Sequence, residues 1–242
     1  MGSGKYGAVS GMIGRMRMME NISNQLSSVN VQAYKKGTTT FQARLAEANS
    51  GMATKGVNQV RVSGESIDFS PGPIEFTGNP LNLALTGDGF FQVQRKDGSF
   101  GYTRKGFFEI NREGVLTDVN GRPVMSAGGG QITLTSSDVD IAPDGNIWYE
   151  GEQLGQVGVF HFKDNSVLRR AQDSMFIPPT GVQPELLPDP QLSQKKLEGS
   201  NVDVMRSMAR MTSNLRAFEA MQKALKVYDE MDRKIADLGL IQ

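Results

Sequence analysis

The segment from residue 200 to 239 reads SNVDVMRSMARMTSNLRAFEAMQKALKVYDEMDRKIADLG. Within it Val204, Met208, Met211, Leu215, Phe218, Met221, Leu225, Tyr228, Met231, Ile235 and Leu238 recur at intervals of three and four. That spacing gathers side chains on one stripe of an α-helix. Neither glycine nor proline interrupts residues 204–238. Ser200-Asn201-Val202-Asp203 offers a hydroxyl to cap and an acid for the positive helix end, and Gly239 follows as a C′ glycine. A helix over 201–238 is expected, about 57 Å long at 1.5 Å per residue.

The opposite end of the chain repeats the pattern. Tyr6, Val9, Met12, Met16, Met19, Ile22, Leu26 and Val29 keep the same spacing, so residues 5–30 are expected to form a second helix of about 39 Å. Between the ends the periodicity changes. From about 74 to 180, short β-rich runs alternate with the turn dipeptides Asp88-Gly89, Asp97-Gly98, Glu113-Gly114, Asn120-Gly121 and Asp144-Gly145. Strands are expected at Phe90–Arg95, Phe100–Thr103, Phe107–Ile110, Val115–Val119, Gln131–Thr135, Ile147–Tyr149 and Val157–Phe162. Short strands about ten residues apart, with no helical pattern between them, indicate an antiparallel β domain.

The expected fold is therefore a mainly β central domain with α-helical termini. Its divisions are an N-terminal helix (1–36), an extended connector (37–73), the β domain (74–182), a Pro-rich connector (183–199) and a C-terminal helix (200–242). Residues 31–73 are rich in Gly, Ser, Thr and Asn, and residues 178–199 hold Pro178, Pro179, Pro184, Pro188 and Pro190. A chain whose ends are helical while its middle folds alone brings those ends together, here as an antiparallel, coiled-coil-like pair.

Composition excludes several functions. Lys+Arg and Asp+Glu balance at 26 each, and no basic run exceeds two residues, so neither nucleic acid nor an acidic membrane surface is an expected partner. The chain has no cysteine and one histidine, which removes disulfides, thiolate nucleophiles and His- or Cys-rich metal sites. No apolar run approaches the roughly 20 residues of a membrane span. Arg15, Arg17 and Glu20 interrupt the apolar residues near the N-terminus, unlike a secretory signal.

No catalytic constellation emerges. Gly2-Ser3-Gly4-Lys5 lacks the strand, spacing and hydroxyl of a phosphate-binding loop. Gly128-Gly129-Gly130 lacks the context of a dinucleotide site. His161 reads as a half-exposed strand residue with no identifiable partner for base catalysis. Ser10 and Ser63 lack a nucleophile elbow, and Asp138, Asp140 and Asp144 read as solvated acids. Catalytic, cofactor and metal residues are all expected to be absent.

Nine of the 13 methionines fall in the two terminal helices. Core filling is one explanation. Two helices alone, however, have no core deep enough for so many, and the flexible thioether suits surfaces that meet several neighbours. The eight N-terminal and eleven C-terminal stripe residues are accordingly candidates for an assembly interface.

Three segments resemble one family. Asn21-Ile22-Ser23-Asn24-Gln25-Leu26-Ser27-Ser28-Val29-Asn30 with Tyr34-Lys35-Lys36 is similar to the N-terminal motif of bacterial flagellar rod and hook proteins. Leu197-Glu198-Gly199-Ser200-Asn201-Val202-Asp203 looks like the signature before their C-terminal helix. Gly87-Asp88-Gly89-Phe90-Phe91-Gln92-Val93, Tyr102-Thr103-Arg104-Lys105-Gly106-Phe107-Phe108 and Gly121-Arg122-Pro123-Val124 resemble the central region. Gln25, Ser27, Ser28, Gln32 and Ala33 depart from the motif's usual residues. The length sets the chain apart from the hook subunit, and Arg216–Lys223 looks closer to the proximal-rod version than to the distal-rod one.

The resemblance implies a structural subunit of the flagellar basal body. Such subunits leave the cell unfolded through the flagellar type III export apparatus, without a cleaved signal, and polymerise helically at the growing tip. Their terminal helices form an inner tube and the β domain an outer layer of a drive shaft crossing the periplasm. Partners would be copies of the chain and other axial proteins, with no cofactor, nucleic acid or membrane insertion. The rival readings are a secreted β-domain binding module or adhesin on a helical stalk, and a carboxylate enzyme.

Overall fold

The computed structural model describes residues 2–45 and 58–239, with side-chain surroundings for 7–38 and 66–234. Tyr6, Ile235 and Leu238 of the expected stripes have side chains outside the described residues. The chain is mainly β, with one helix at each end: α1 (Gly2–Ser27) and α2 (Val204–Gly239). It divides into two compact units.

The first unit comprises Met1–Ser27, Gly37–Asp68 and Asp203–Gln242. In it α1 and α2 run antiparallel, since Gly11 lies against Met221 while Arg15 meets Asn214. Gly2, Gly4, Gly7, Gly11 and Gly14 all fall inside α1. Each costs a helix about 0.5–1 kcal/mol relative to alanine, so α1 depends on its partner rather than on propensity. At the start of α2, Asp203 rather than Ser200 is the cap. Its Oδ1 accepts from the backbone N of Arg206 at 3.0 Å, whereas the Ser200 hydroxyl accepts from Val202 N outside the helix.

Two expectations about the ends are corrected. α1 stops at Ser27, three residues short of the expected end, and Val29 lies in the turn that follows. Residues 37–73 were expected as an extended connector, but β1 (Gly37–Leu45) and β2 (Asn58–Ile67) form an antiparallel pair within this unit. The Thr38-Thr39-Thr40 run of β1 and the valines of β2 supply β-branched residues that a flexible connector would not need.

The second unit comprises Ser28–Lys36 and Phe69–Val202. Its strands are β3 (Ile74–Phe76), β4 (Leu83–Leu85), β5 (Phe90–Gln94), β6 (Phe100–Thr103), β7 (Phe108–Ile110), β8 (Leu116–Asp118), β9 (Asp140–Ile141) and β10 (Asn146–Tyr149). They continue as β11 (Glu152–Gln156), β12 (Val159–His161), β13 (Arg169–Arg170), β14 (Met175–Ile177), β15 (Glu185–Leu186), β16 (Leu192–Gln194) and β17 (Lys196–Glu198). Every ladder is antiparallel. The largest sheet runs β13-β14-β6-β5-β12-β15, and β9–β11 form a second. Residues 131–135, expected as a strand, pair only through isolated bridges at Gln131 and Thr133.

The 183–199 segment is likewise more than a connector. β15 pairs with β12, β16 with β4 and β17 with β3. The prolines fall beside these two- and three-residue strands, not inside them, where a missing N–H would break a ladder. Leu83, Leu85, Phe91, Val93, Phe108, Leu116, Leu134, Ile147 and Val159 form one buried core. Phe69, Phe90 and Phe176 pack edge to face beside it, with centroids 5.0–5.7 Å apart. Gly106 allows β4 to approach: a Cβ there would stand 1.6 Å from the Leu83 carbonyl oxygen.

Candidate assembly interface

The motif segments meet at one buried charge cluster in the second unit. Ala33 N donates to the Glu198 carbonyl at 2.8 Å, Asn201 N to the Tyr34 carbonyl at 3.1 Å, and Lys36 N to Asn201 Oδ1 at 2.7 Å. Residues 33–36 and 198–201 thus lie side by side. Beneath them Lys35 Nζ donates to Glu198 Oε1 at 2.5 Å and to the Ser70 carbonyl at 2.7 Å. The same Oε1 accepts from Gly72 N at 2.9 Å.

Arg104 completes the cluster. Its Nη1 stands 3.6 Å from Glu198 Oε2, and its Nη2 donates to the Gly87 carbonyl at 3.1 Å. Its guanidinium lies 5.5 Å from the Phe90 ring centroid. Oε2 itself receives no hydrogen bond, so the Arg104 charge is its compensation. Two further contacts close the clasp from outside: Arg170 stacks on Tyr34 at 4.4 Å and donates to the Lys35 carbonyl. A Cβ on Gly72 would meet the Gly199 carbonyl oxygen at 2.2 Å, which reserves that position for glycine.

In the first unit the helix faces divide differently from the expected stripe. Val9, Met16, Met208, Leu215, Tyr228 and Met231 are exposed, and so are Ile13, Met205 and Val227, which the stripe did not include. Met205 is the extreme at 78%. Ile22 is buried, and Met12, Met19, Leu26, Val204, Met211, Phe218, Met221 and Leu225 are half-buried. Val29 is half-buried in the second unit.

The inward seam of α2 runs Val204, Ser207, Met211, Asn214, Phe218, Met221, Leu225. Its strict 3-4 spacing is a seven-residue repeat, and it includes two buried polar residues, Ser207 and Asn214. On α1, Gly11 lies against Met221 and Arg15 against Asn214, while Gly14, Ile22 and Gln25 are also buried, Gln25 donating to the Gly37 carbonyl of β1. Apolar counting therefore found the outward face and part of the seam but passed over its glycines and amides. The heptad through Ser207, Asn214 and Met221 was the signal available. The α2 seam alternates apolar residues with the buried Ser207 and Asn214, and a further set of methionines with Ile13, Leu215 and valines lies exposed outside it.

Elsewhere the chemistry is sparse. His161 on β12 faces Glu185 on β15, with Nε2 3.7 Å from Oε2, a carboxylate neighbour that sequence reasoning missed. That carboxylate is held by Lys163 at 2.7 Å, whose hydrogen bond keeps it below the usual carboxylate range. Burial lowers Lys105 and raises Tyr102, the latter bonded by Gln92. Trp148 is exposed on β10. Among the described residues, no three His, Asp or Glu side chains converge as a metal site, and no helix is long and apolar enough to cross a membrane.

Comparison with known proteins agrees with this architecture. Residues 84–149, spanning β4 to β10, match the family model of the flagellar hook protein FlgE/F/G D1 domain. Residues 193–238, from β16 through α2, match that of the flagellar basal body rod FlgEFG protein C-terminal region. The flagellar basal-body rod protein FlgF of Caulobacter vibrioides is 30% identical, with 100% of both chains covered. FlgF of Salmonella typhimurium is 33% identical over 74% of this chain and 76% of its own. FlgG of Agrobacterium fabrum is 29% identical over 93% of this chain and 94% of its own. This chain belongs to the flagellar basal-body rod protein family.

Proposed function

We propose that this rod subunit belongs to the proximal rod and polymerises helically, with the outward faces of α1 and α2 as its subunit interface. The carrying observation is the exposed apolar set on those faces: Val9, Ile13 and Met16 on one helix, Met205, Met208, Leu215, Val227 and Met231 on the other. Burying an apolar side chain from full exposure is worth about 1.5–3 kcal/mol, and these, mostly about half exposed, would each gain a corresponding fraction repeated along the tube. Methionine accommodates the inequivalent neighbours of a helical lattice. The wholly inward residues of the earlier stripe, Ile22 above all, would support that face from behind.

In this reading copies of the chain and other axial rod and hook proteins are its partners, and the rod transmits torque across the periplasm. The protein reaches its place unfolded through the flagellar export apparatus, without a cleaved signal, and the lack of cysteine suits that route. Catalysis has no part in it, and His161 is a structural residue. The full-length similarity to FlgF supports the proximal assignment. The adhesin reading has no support from the relatives.

Met208→Asp and Leu215→Asp test the interface. Either places an uncompensated charge in the proposed contact. The variants are expected to be made and exported but not incorporated, leaving cells non-motile with incomplete rods. Motile cells carrying both charges would overturn the proposal.

A further inference from the structure

The methionine-rich outer face explains cohesion, but cohesion alone does not align two helices. On the inward seam of α2, Val204, Met211, Phe218 and Leu225 repeat every seven residues. A slip of one heptad would bring Met211, Phe218 and Leu225 to the places of Val204, Met211 and Phe218, one apolar residue for another, and only at the far end would an acid, Asp232, take the place of Leu225. Hydrophobic burial is non-directional and discriminates weakly between such registers. Gly11 offers a hole that Met221 fills, a fit that another flexible side chain one heptad away could approximate.

One position breaks the degeneracy. Asn214 is 2% exposed, and its amide meets the first helix twice: Nδ2 donates to the Arg15 carbonyl at 2.8 Å, and Oδ1 accepts from Arg15 Nη1 at 3.1 Å. One heptad away stand Ser207, too short to make both bonds, and Met221, which can make neither strongly. Met221 instead fills the space that Gly11 leaves open, its Cε 3.1 Å from where a Cβ would stand. In a slipped register the Asn214 amide would be buried without these partners, and an orphaned buried amide costs more than the bond is worth when formed.

We propose that Asn214, with Arg15, is the register determinant of the terminal helix pair: doubly bonded across that seam, the two residues select one alignment of α2 on α1 among those that hydrophobic packing separates poorly. The inference rests on the rod-subunit reading only for its purpose, since a subunit with a misaligned pair would present its outer apolar residues at the wrong heights. Register itself is a property of the single chain.

The chain has no cysteine, so register can be read by disulfide trapping in the purified full-length protein. Gly11→Cys with Met221→Cys reports the observed alignment, and Gly11→Cys with Tyr228→Cys reports a one-heptad slip. With Asn214 in place, only the first pair is expected to cross-link efficiently. Asn214→Leu is expected to raise the slipped-to-native ratio roughly tenfold, the equivalent of two ordinary hydrogen bonds, while helix content by circular dichroism stays unchanged. Asn214→Asp, which keeps an acceptor for Arg15, is expected to stay closer to the native ratio than Asn214→Leu does. A leucine variant that melts differently but cross-links only in the native register would overturn the proposal, as would slipped cross-links in the parent. Assembly plays no part in these measurements, so failure of the rod-interface proposal would leave their outcome intact.

Discussion

Lys35 Nζ and Glu198 Oε1 stand 2.5 Å apart with neither side chain exposed to solvent, although 163 residues separate them in the chain. Desolvating two charges is costly, and here the cost is offset by their close pairing and by the hydrogen bonds to Glu198 Oε1, while Oε2 has only the Arg104 charge 3.6 Å away. Glu198 serves Lys35, Gly72 N and Arg104 at once. The segment after α1 and the segment before α2 therefore complete each other's burial, and the second unit cannot close until both are in place.

Glu198→Ala is expected to destabilise the second unit by about 3–5 kcal/mol, because it strands two buried cations and the Gly72 amide. Glu198→Gln keeps an acceptor for Lys35 and Gly72 and loses only the charge. It is expected to cost about 1–3 kcal/mol. Urea melts of the two variants beside the parent check the ordering, and equal costs would mean that charge rather than hydrogen bonding holds the clasp.

Gly106→Ala is expected to be among the most damaging single-methyl additions in the chain. The new Cβ would overlap the Leu83 carbonyl oxygen, which is backbone and cannot swing aside. Since Leu83 N also donates to the Gly106 carbonyl at 2.9 Å, relief of the clash would break that bond and loosen β4 from the core. Gly98→Ala, whose Cβ would meet nothing within 4 Å, is the control for positive-φ strain, with a φ of +81°. A larger loss for Gly98→Ala in thermal melts would contradict the packing account.

Both helices and the antiparallel middle were legible because their signals are local: a 3-4 apolar spacing and turn dipeptides between β-rich runs. The glycine of Asp97-Gly98 does adopt the left-handed conformation that such a turn uses. What escaped were strands defined by distant partners. β16 and β17 are three residues each, among lysines, glutamines and a Ser, and become strands only because β4 and β3 lie alongside. The clasp escaped for the same reason: Lys35 and Glu198 were recognised as motif residues, but a charged side chain carries no local sign that it will be wholly buried. On the helices, counting apolar residues could not show that Leu215 faces outward while its neighbour Asn214 faces in.

Phe218→Asp and Leu215→Asp separate the two faces of α2. Phe218 is half-buried on the inward seam and Leu215 is 45% exposed. Phe218→Asp is expected to weaken the α1–α2 pair by about 3 kcal/mol or more, seen as lost helical signal and lost Gly11–Met221 cross-linking. Leu215→Asp is expected to leave both unchanged in the isolated chain and to act only on incorporation into rods. Equal loss of helix in the two variants would show that the outward face is already occupied within the chain.

His161→Ala is expected to leave motility intact and to change stability by no more than about 0.5 kcal/mol. The imidazole is partly exposed, Glu185 retains its stronger partner in Lys163, and the buried Nδ1 has no hydrogen bond to lose. Swimming-halo diameter and a thermal melt check both halves. Loss of motility with normal stability would reopen a chemical role for this residue.

The last expectation concerns how much chain the β unit needs. A fragment of residues 74–182 matches the span expected from the strand pattern, yet it would omit β15, β16 and β17 and with them the partners of β12, β4 and β3. It would also leave Arg104 buried without Glu198, leave β4 unpaired along the edge that β16 occupies, and remove Leu192 from the core. Residues 28–202 retain Lys35, Glu198 and Arg104 together, along with Phe69, which packs on Phe90 and Phe176. That longer fragment is expected to be soluble and to unfold in one cooperative transition without either terminal helix. The shorter one is expected to aggregate or to melt broadly. A sharp, reversible melt of 74–182 would show that the clasp is an addition to a self-sufficient β core rather than its closing step.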